Sequence, residues 1–196
     1  MGSIKLPHAS GNSVSIAAPQ SNPASDRTLY LPSNADGTIV TNNSPATGSI
    51  VQVVQTVKTD TASHDTTTWT DISGLSVSIT PTSNASKVLV TFNGSGSTNN
   101  LGFIRIMRDS TVIGVGASSS SRVSCTCIFH KSGDSNLQES FSFSYLDSPS
   151  TISATTYKLQ WRDESGTVYL NRTVNDNDGD SGSRTASVIT VMEVAA

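Results

Sequence analysis

Side chains able to carry out catalysis are few and scattered along this chain of 196 residues. The three histidines, His8, His64 and His130, have neither an acid nor a nucleophile beside them in any local pattern. The G-x-S-x-G turn that exposes a nucleophilic serine does not occur. Serines concentrate instead in tracts such as residues 118–121, which are typical of solvated loops. We therefore predict that the protein is not an enzyme.

One acidic cluster, formed by Asp176, Asp178 and Asp180, has the residue type that binds calcium. Three carboxylates so close together gather Ca²⁺ when loop or partner carbonyls complete the coordination. An EF-hand loop would also need an acid at Val174 and a glutamate at Thr185, and the chain has neither. A surface turn rich in Gly, Asn and Asp explains the same residues. We predict no metal and no cofactor, and keep these three aspartates as the alternative.

Cys125 and Cys127 are the only cysteines. On a strand, two residues this far apart face the same side at about 6.5–7 Å, which is at or beyond the reach of a relaxed disulfide. His130 falls on the opposite face by parity, so it does not join them in a metal site. We predict two buried thiols in a reduced compartment.

The composition favours a β-protein whose subunits share cores. Hydrophobic residues make up 35% of the chain and charged residues 14%, about half the usual charged share. Serine and threonine fill the deficit, which indicates hydroxyl-rich outer faces. The net charge of −3 and the scattered basic residues argue against nucleic acid as a partner. No apolar run of about 18 residues exists, so we predict no membrane insertion.

Two segments differ in organisation. Residues 1–47 repeat a short apolar strand followed by a Pro, Gly or Asn turn, and contain too few apolar residues for a monomeric core. Residues 48–196 show about ten strand patterns at the spacing of an antiparallel sandwich, with residues 141–145 the clearest alternation. Residues 108–111 fit a tight hairpin, and residues 122–129 fit a further strand. We predict a stalk followed by a sandwich head.

Two strands of the predicted head are apolar on both faces. In residues 50–57, Val51, Val53 and Val57 form one face of core composition, and the other face mixes Ile50 and Val54 with Gln52 and Thr56. The last strand, residues 185–194, is similar, since Ile189 and Val191 lie opposite Ala186, Val188, Met192 and Val194. A strand buried on both faces needs a cover on both. A neighbouring subunit is the simplest cover outside a two-sheet sandwich.

Three N-terminal motifs follow one another: GNSVSIAAP at residues 11–19, DRTLYLP at 26–32 and ADGTIV at 35–40. They resemble the shaft of tail fibres of tailed bacteriophages, especially marine phages, in which three chains wind into an intertwined β-structure. The remaining chain is similar to the heads that follow such shafts, in residues 50–57, 69–81, 86–92, 108–113 and 192–193.

The resemblance implies an all-β homotrimer, in which a short intertwined stalk precedes a jelly-roll-like antiparallel sandwich similar to C1q and tumour-necrosis-factor domains. In such heads the first and last strands line the three-fold axis. Here those are the two strands with two apolar faces. We therefore assign four residues to the trimer axis, namely Ile50, Gln52, Val188 and Met192.

The resemblance also implies a structural virion protein, assembled in the host cytoplasm and contacting the host cell surface. Residues 1–47 would then attach to other virion proteins of the tail or capsid, through Ile4, Leu6 and His8. Only residues 1–10 precede the shaft motifs, and they contain no recognisable tail-docking domain. The alternative is therefore a capsid or tail decoration fibre with a stabilising role.

Loops are the expected site of receptor binding. Four loops are rich in Asn, Ser, Asp and Arg, whose side chains hydrogen-bond to sugar hydroxyls but also form ordinary turns: residues 94–102, 116–122, 147–155 and 172–184. Trp69 is free to stack on a sugar ring, whereas alternation places Trp161 in the core. We predict that a host surface glycan or protein contacts Asn99, Asn100, Arg122, Arg172 and Asn175.

Overall fold

The computed structural model describes residues 3–7, 13–17 and 45–196. The chain divides into two compact units, Met1–Ile39 and Val40–Ala196. In the first unit, β1 (Ser3–Pro7) pairs with β2 (Ser13–Ala17) in antiparallel fashion, with Ile4 opposite Ile16 and Leu6 opposite Val14. His8 lies outside the described residues. The intertwined stalk and its attachment residues Ile4, Leu6 and His8 therefore stay predictions.

Residues 45–196 of the second unit fold into eleven strands. In chain order they are β3 (Ile50–Lys58), β4 (Ala62–His64), β5 (Thr70–Ile79), β6 (Lys87–Thr98), β7 (Leu101–Arg108), β8 (Thr111–Ile113), β9 (Cys127–His130), β10 (Glu139–Asp147), β11 (Thr155–Asp163), β12 (Val168–Leu170) and β13 (Ser187–Val194). The described part of the chain contains no helix with the length and apolar character that a membrane crossing requires. The predicted all-β class is confirmed.

The strands form two antiparallel sheets, as predicted. Sheet I has the order β3-β13-β6-β12-β4, in which β13 and β12 pair with successive parts of one edge of β6. Strand β10 pairs with the opposite edge of β6. Sheet II has the order β5-β11-β7, and β8 and β9 both pair with the free edge of β7. The chain passes between the sheets several times, which gives the sandwich its jelly-roll-like character.

The core lies between the sheets and is filled by the inward residues of alternating strands. In β11 the inward residues Tyr157, Leu159 and Trp161 are buried, which confirms the core position predicted for Trp161. In β13 Ile189 and Val191 are fully buried, whereas Val188 and Met192 are half-buried on the other side. The two apolar faces of this last strand are thus observed.

The hairpin predicted at residues 108–111 is confirmed. Arg108 pairs with Thr111, and Asp109 takes a left-handed conformation with φ of 50°. Aspartate tolerates that conformation because its short side chain hydrogen-bonds locally. Here Oδ1 of Asp109 accepts the Thr156 N–H at 2.9 Å, and the Asp109 N–H donates to the Thr156 carbonyl at 2.7 Å.

The strand predicted over residues 122–129 is shorter than expected and lies later in the chain. Only Cys127–His130 forms a strand, and Arg122 lies in a turn closed by its N–H bond to the Ser119 carbonyl at 3.1 Å. The edge of β7 is shared by β8 and β9, so the segment between them has little free ladder with which to pair. Within this segment Thr126 bonds to the edge of β7, where its backbone N–H donates to the Ile104 carbonyl.

The composition of β3 predicted the wrong side of this strand to point into the core. Val53 and Val57, expected in the core, are 56% and 50% exposed on the outer side of sheet I. The inward side instead carries Gln52, Val54 and Lys58, of which Val54 packs against the core and Lys58 is 6% exposed. The inversion is possible because partners inside the same chain satisfy the inward polar groups, which composition alone does not reveal.

Candidate functional site

A groove with a cavity of about 170 Å³ opens where β6 ends, β9 ends and β10 begins. Its walls come from three separated parts of the chain: the end of β6 with Asn99, the segment 130–139, and Val174 after β12. Most lining side chains are polar. Leu137, 55% exposed, contributes an apolar surface.

Glu139 and His130 hold the segment 130–139 in a closed loop. The Glu139 carboxylate accepts the backbone N–H of His130 at 2.8 Å and lies 3.1 Å from its ring Nδ1. The next residue, Lys131, donates its N–H to the Asn100 carbonyl at 2.7 Å. These bonds tie the loop to β10 and to the β6–β7 turn, so one wall of the groove is fixed by backbone contacts.

Gln138 joins the loop to the sheet behind it. Its side-chain oxygen accepts hydrogen bonds from Ser95 at 3.0 Å and from Thr185 at 3.1 Å, and its amide nitrogen donates to the Ser183 hydroxyl at 2.6 Å. Ser95 lies on β6, whereas Ser183 and Thr185 precede β13. The floor of the groove is thus positioned by three segments through one side chain.

Arg172 organises the opposite rim and is occupied in doing so. Its guanidinium lies 4.4 Å from the centre of the Tyr169 ring, and it donates to the carbonyls of Thr173 and Val174 at 2.9 and 2.8 Å. It also pairs with Asp176 at 3.2 Å. Arg172, predicted as a receptor contact, thus also holds the backbone that carries Val174.

The acidic run beside this rim is held by arginines. Asp176 bonds to Arg184 and pairs with Arg172, and the hydrogen bond from Arg184 chiefly lowers the pKa of Asp176 below its usual value. Asp178 and Asp180 are exposed. No group of three or more His, Cys, Asp or Glu side chains with metal-site geometry occurs among the described residues.

The structure brings together only part of the predicted receptor contacts. Asn99 lines the groove, and Asn175 reaches its rim, bonding through its amide to Asn136 at 3.1 Å. Asn100 points away, because its amide donates to Glu164 and Ser165 at 3.0 and 2.6 Å. Arg122 lies in the separate turn at residues 119–122.

The segment 130–139 contributes the most to the groove and was missed by sequence reasoning. A signal was present, since Gly133, Asp134, Ser135 and Asn136 form a polar, turn-rich run between two aromatic strand patterns. The run is closed by the Asn136 N–H, which Asp134 Oδ1 accepts at 2.8 Å.

The groove is lined by hydrogen-bonding groups, among them the ionisable side chains of His130, Asp134 and Glu139. Asn99 and Lys131 line the groove and are exposed to solvent. The serines that line it have no histidine hydrogen-bonded to their hydroxyl groups among the described residues. The arrangement suits a polar ligand of small size, held by amide, ammonium and hydroxyl groups.

The two cysteines are not activated nucleophiles. Both are free, and burial raises the pKa of Cys125. Burial and the neighbouring Cys125 raise the pKa of Cys127 to about 12. A thiol needs a low pKa to attack as a thiolate at neutral pH. Both cysteines are half-buried rather than buried as predicted, and Cys127 packs against the core.

Comparison with known proteins identifies no family. No family model matches the chain, and no curated protein sequence matches it. Solved structures described as those of infectious bursal disease virus, strains Gt and Gx, are similar at 12% identity and a TM-score of 0.39. Each match covers 94% of this chain and 46% of the matched chain, so this chain spans about half the length of those proteins. Likeness at this level carries no argument about function.

Proposed function

We propose that the protein is a structural virion fibre subunit of a tailed phage. In this proposal it is not an enzyme, assembles as a homotrimer through the outer side of sheet I, and presents the groove to the host cell surface. The number of subunits and the phage assignment rest on the sequence resemblance. The surface used for assembly and the position of the groove rest on the structure.

The outer side of sheet I is the observation that supports assembly. The register places four apolar residues in one row across four strands: Leu146 beside Leu89, Leu89 beside Met192, and Met192 beside Val53. Leu146 is 48% exposed and Val53 is 56% exposed, although both are large and apolar. Val188 and Val57 form a second apolar pair on the same side. We call these six residues the sheet I outer patch.

A second copy of the same chain is the proposed occupant of this patch, because it would bury apolar side chains that are otherwise exposed to water. Polar residues without charge, among them Thr91, Thr190 and Gln55, form the row between the two apolar rows. A contiguous apolar surface with few charges is typical of a subunit interface. The low apolar content of the chain supports the same conclusion, because subunits that share a surface need less core of their own. Val188 and Met192, predicted at the axis, belong to the patch.

Ile50 and Gln52, the other two residues predicted at the axis, are placed differently. Ile50 is the first residue of β3 and is 49% exposed. It pairs with Val194, after a register shift in the ladder between Glu193 and Val194. Gln52 bonds inside its own chain to Glu193. In the proposed assembly Val53 and Val57 therefore replace Gln52 as the contacts from the first strand.

Assembly is tested by placing charges on the patch. Val53 and Leu146 are about half exposed in the single chain, so changing both to Asp leaves the fold intact and puts charges into the proposed interface. We expect a trimer mass for the natural protein and a folded monomer for the Val53→Asp, Leu146→Asp variant by light scattering. Val112→Asp, on the exposed edge of sheet II, is the matched control and should remain trimeric. A monomeric natural protein, or a trimeric double variant, overturns the assembly proposal.

Receptor binding is tested separately on the groove. Changing Asn99 and Lys131 to Ala removes two exposed side chains from the lining without altering the backbone bonds of the walls. We expect about tenfold weaker adsorption of labelled protein to host cells, the loss of roughly one charge-assisted hydrogen bond. Arg122→Ala, outside the groove, should adsorb normally. If adsorption is unchanged and virions lacking the protein only lose heat resistance, the decoration alternative replaces the receptor proposal.

A further inference from the structure

Two arginines on the outer side of sheet II are stacked on aromatic rings. The guanidinium of Arg105 lies 4.3 Å from the centre of the Trp69 ring, and that of Arg162 lies 5.5 Å from the centre of the Phe103 ring. Arg105 pairs with Gln160 and Arg162 pairs with Phe103 on neighbouring strands. The two arginines are thus diagonal neighbours on one face, about 7–8 Å apart at their Cβ atoms.

The charges of these two arginines are not paired within the chain. None of the salt bridges among residues 45–196 includes Arg105 or Arg162. Arg105 donates through its Nε and one terminal nitrogen to the neutral side-chain oxygen of Gln160, at 2.9 and 2.6 Å. The Nε of Arg162 is buried and has no hydrogen-bond partner among the described residues.

The carboxylates near this face are already occupied. Asp71 accepts one hydrogen bond from Lys158 and one from Gln160, both at 2.7 Å. Glu164, beyond the end of β11, accepts the Asn100 amide at 3.0 Å. Asp163 follows Arg162 directly but is buried on the inward side of the strand. The two neighbouring guanidinium groups therefore form no ion pair with a described carboxylate, in a protein whose net charge is −3.

We infer that this face, formed by Trp69, Phe103, Arg105 and Arg162, binds an acidic polysaccharide through the carboxylates of its sugar units. A guanidinium binds a carboxylate with two parallel hydrogen bonds, and stacking on an aromatic ring pre-orients it. Phe103 is buried beneath Arg162, whereas Trp69 is half-buried and adds apolar surface beside the two guanidinium groups. The exposed face of a sheet also accommodates an extended chain.

The small number of positive charges on this face argues against nucleic acid as its ligand. Nucleic-acid binding draws on many phosphate contacts spread over a basic surface. This protein has 12 lysines and arginines against 15 acidic residues, and among the described residues Lys158 is the one lysine beside the two arginines on this face. Two isolated guanidinium groups fit two carboxylates of a uronic acid polymer. The inference rests on the proposed function only in requiring that the sandwich face a cell surface.

The experiment measures binding of the full chain to alginate, a polymer of uronic acids, with dextran as the neutral polymer. We expect alginate but not dextran to bind, and binding to weaken as salt rises. The Arg105→Gln, Arg162→Gln variant should lose about 10- to 100-fold in affinity, the effect of removing charge-assisted hydrogen bonds. Arg122→Gln, which removes the same charge from an exposed turn, should bind as the natural protein does.

Other outcomes overturn the inference. Failure of the natural protein to bind alginate, or equal binding by the double variant with an unchanged melting temperature, excludes this face as the site. Stronger binding to dextran sulfate or to single-stranded DNA than to alginate excludes a carboxylate ligand. If the double variant loses its fold, Arg162→Lys keeps the charge without the bidentate geometry and should still weaken alginate binding. Light scattering of the Val53→Asp, Leu146→Asp variant and adsorption of the Asn99→Ala, Lys131→Ala variant show independently whether the proposed fibre function fails.

Discussion

Gln52 and Glu193 are joined inside the sandwich, with Nε2 of Gln52 2.6 Å from a carboxylate oxygen of Glu193. Glu193 is fully buried, yet its other oxygen accepts the backbone N–H and the hydroxyl of Thr82, both at 2.7 Å. Burial by itself would raise the pKa of Glu193, but the hydrogen bonds from Gln52, Thr82 and Ser86 outweigh it and lower the pKa. A buried charge is thus held at the edge where β3 and β13 meet the loop after β5.

Replacing Glu193 with Gln should destabilise the fold by about 2 kcal/mol at pH 7, because strong hydrogen bonds to a charged group are lost and donors are left unpaired. The lowered pKa means that the stabilisation by Glu193 is present above the unfolded pKa of about 4.3 and is lost as the pH falls through the folded pKa. Urea denaturation of both proteins between pH 7 and pH 3 should show the difference shrinking. Glu164→Gln, at an exposed bond, is the control and should change stability by less than about 0.5 kcal/mol. Equal stability of the natural protein and Glu193→Gln at pH 7 would contradict the role given to this network.

Gly102 should not tolerate a methyl group. A Cβ at this position would lie 2.6 Å from the Phe129 ring and 2.8 Å from Val168, both buried in the core. We expect Gly102→Ala to cost about 1–3 kcal/mol by overpacking. Gly116→Ala is the matched control, since a Cβ there meets no atom within 4 Å. Chemical denaturation compares the two, and an unaltered midpoint for Gly102→Ala would show that Phe129 moves aside at little cost.

Asp163 should weaken the fold at neutral pH. Its carboxylate is 1% exposed, and neither oxygen has a well-aligned partner among the described residues. Burial raises the pKa of Asp163, and the nearby N–H groups of Glu164 and Gly166 offset this only in part. The folded state therefore holds a proton more tightly than the unfolded state, so stability falls as the pH rises from the unfolded value of 3.8 through the raised folded pKa.

Changing Asp163 to Asn keeps the shape and removes the titration. We expect a higher melting temperature than that of the natural protein at pH 7 and similar melting temperatures near pH 3. Asp65→Asn, in an exposed loop, should leave the pH profile unchanged. A variant less stable than the natural protein at pH 7 would mean that the charged carboxylate has a stabilising partner.

Incubation of the protein with host envelope polysaccharide should release no reducing ends. The expectation follows from the lining of the groove, where no described histidine is hydrogen-bonded to a serine hydroxyl, and from the raised pKa values of both thiols. Dinitrosalicylate or chromatographic detection of reducing ends provides the measurement. Release that disappears on changing Glu139 or Asp134 would establish an enzyme.

Alternation in the sequence was sufficient for the strands and for much of the core. Leu75, Val77 and Ile79 alternate with polar residues in the sequence and are buried. The position of Trp161 and the two apolar faces of β13 followed from the same parity, because side chains two apart on a strand share a face. The hairpin at Asp109 followed from turn chemistry. These features depend on local spacing, which the sequence contains in full.

Only the tertiary structure decided which side of a strand points inward and which distant residues lie close together. Parity states that Gln52 and Val53 point to opposite sides, but which side is inward depends on partners distant in the chain, here Glu193 and Thr82. The groove joins Asn99, segment 130–139 and Val174 because separate strands end at one end of the sandwich. The Arg105–Arg162 pair likewise comes from the register of β7 with β11. Such contacts join residues from tens of positions apart, and their choice is set by packing of the whole core rather than by any local pattern.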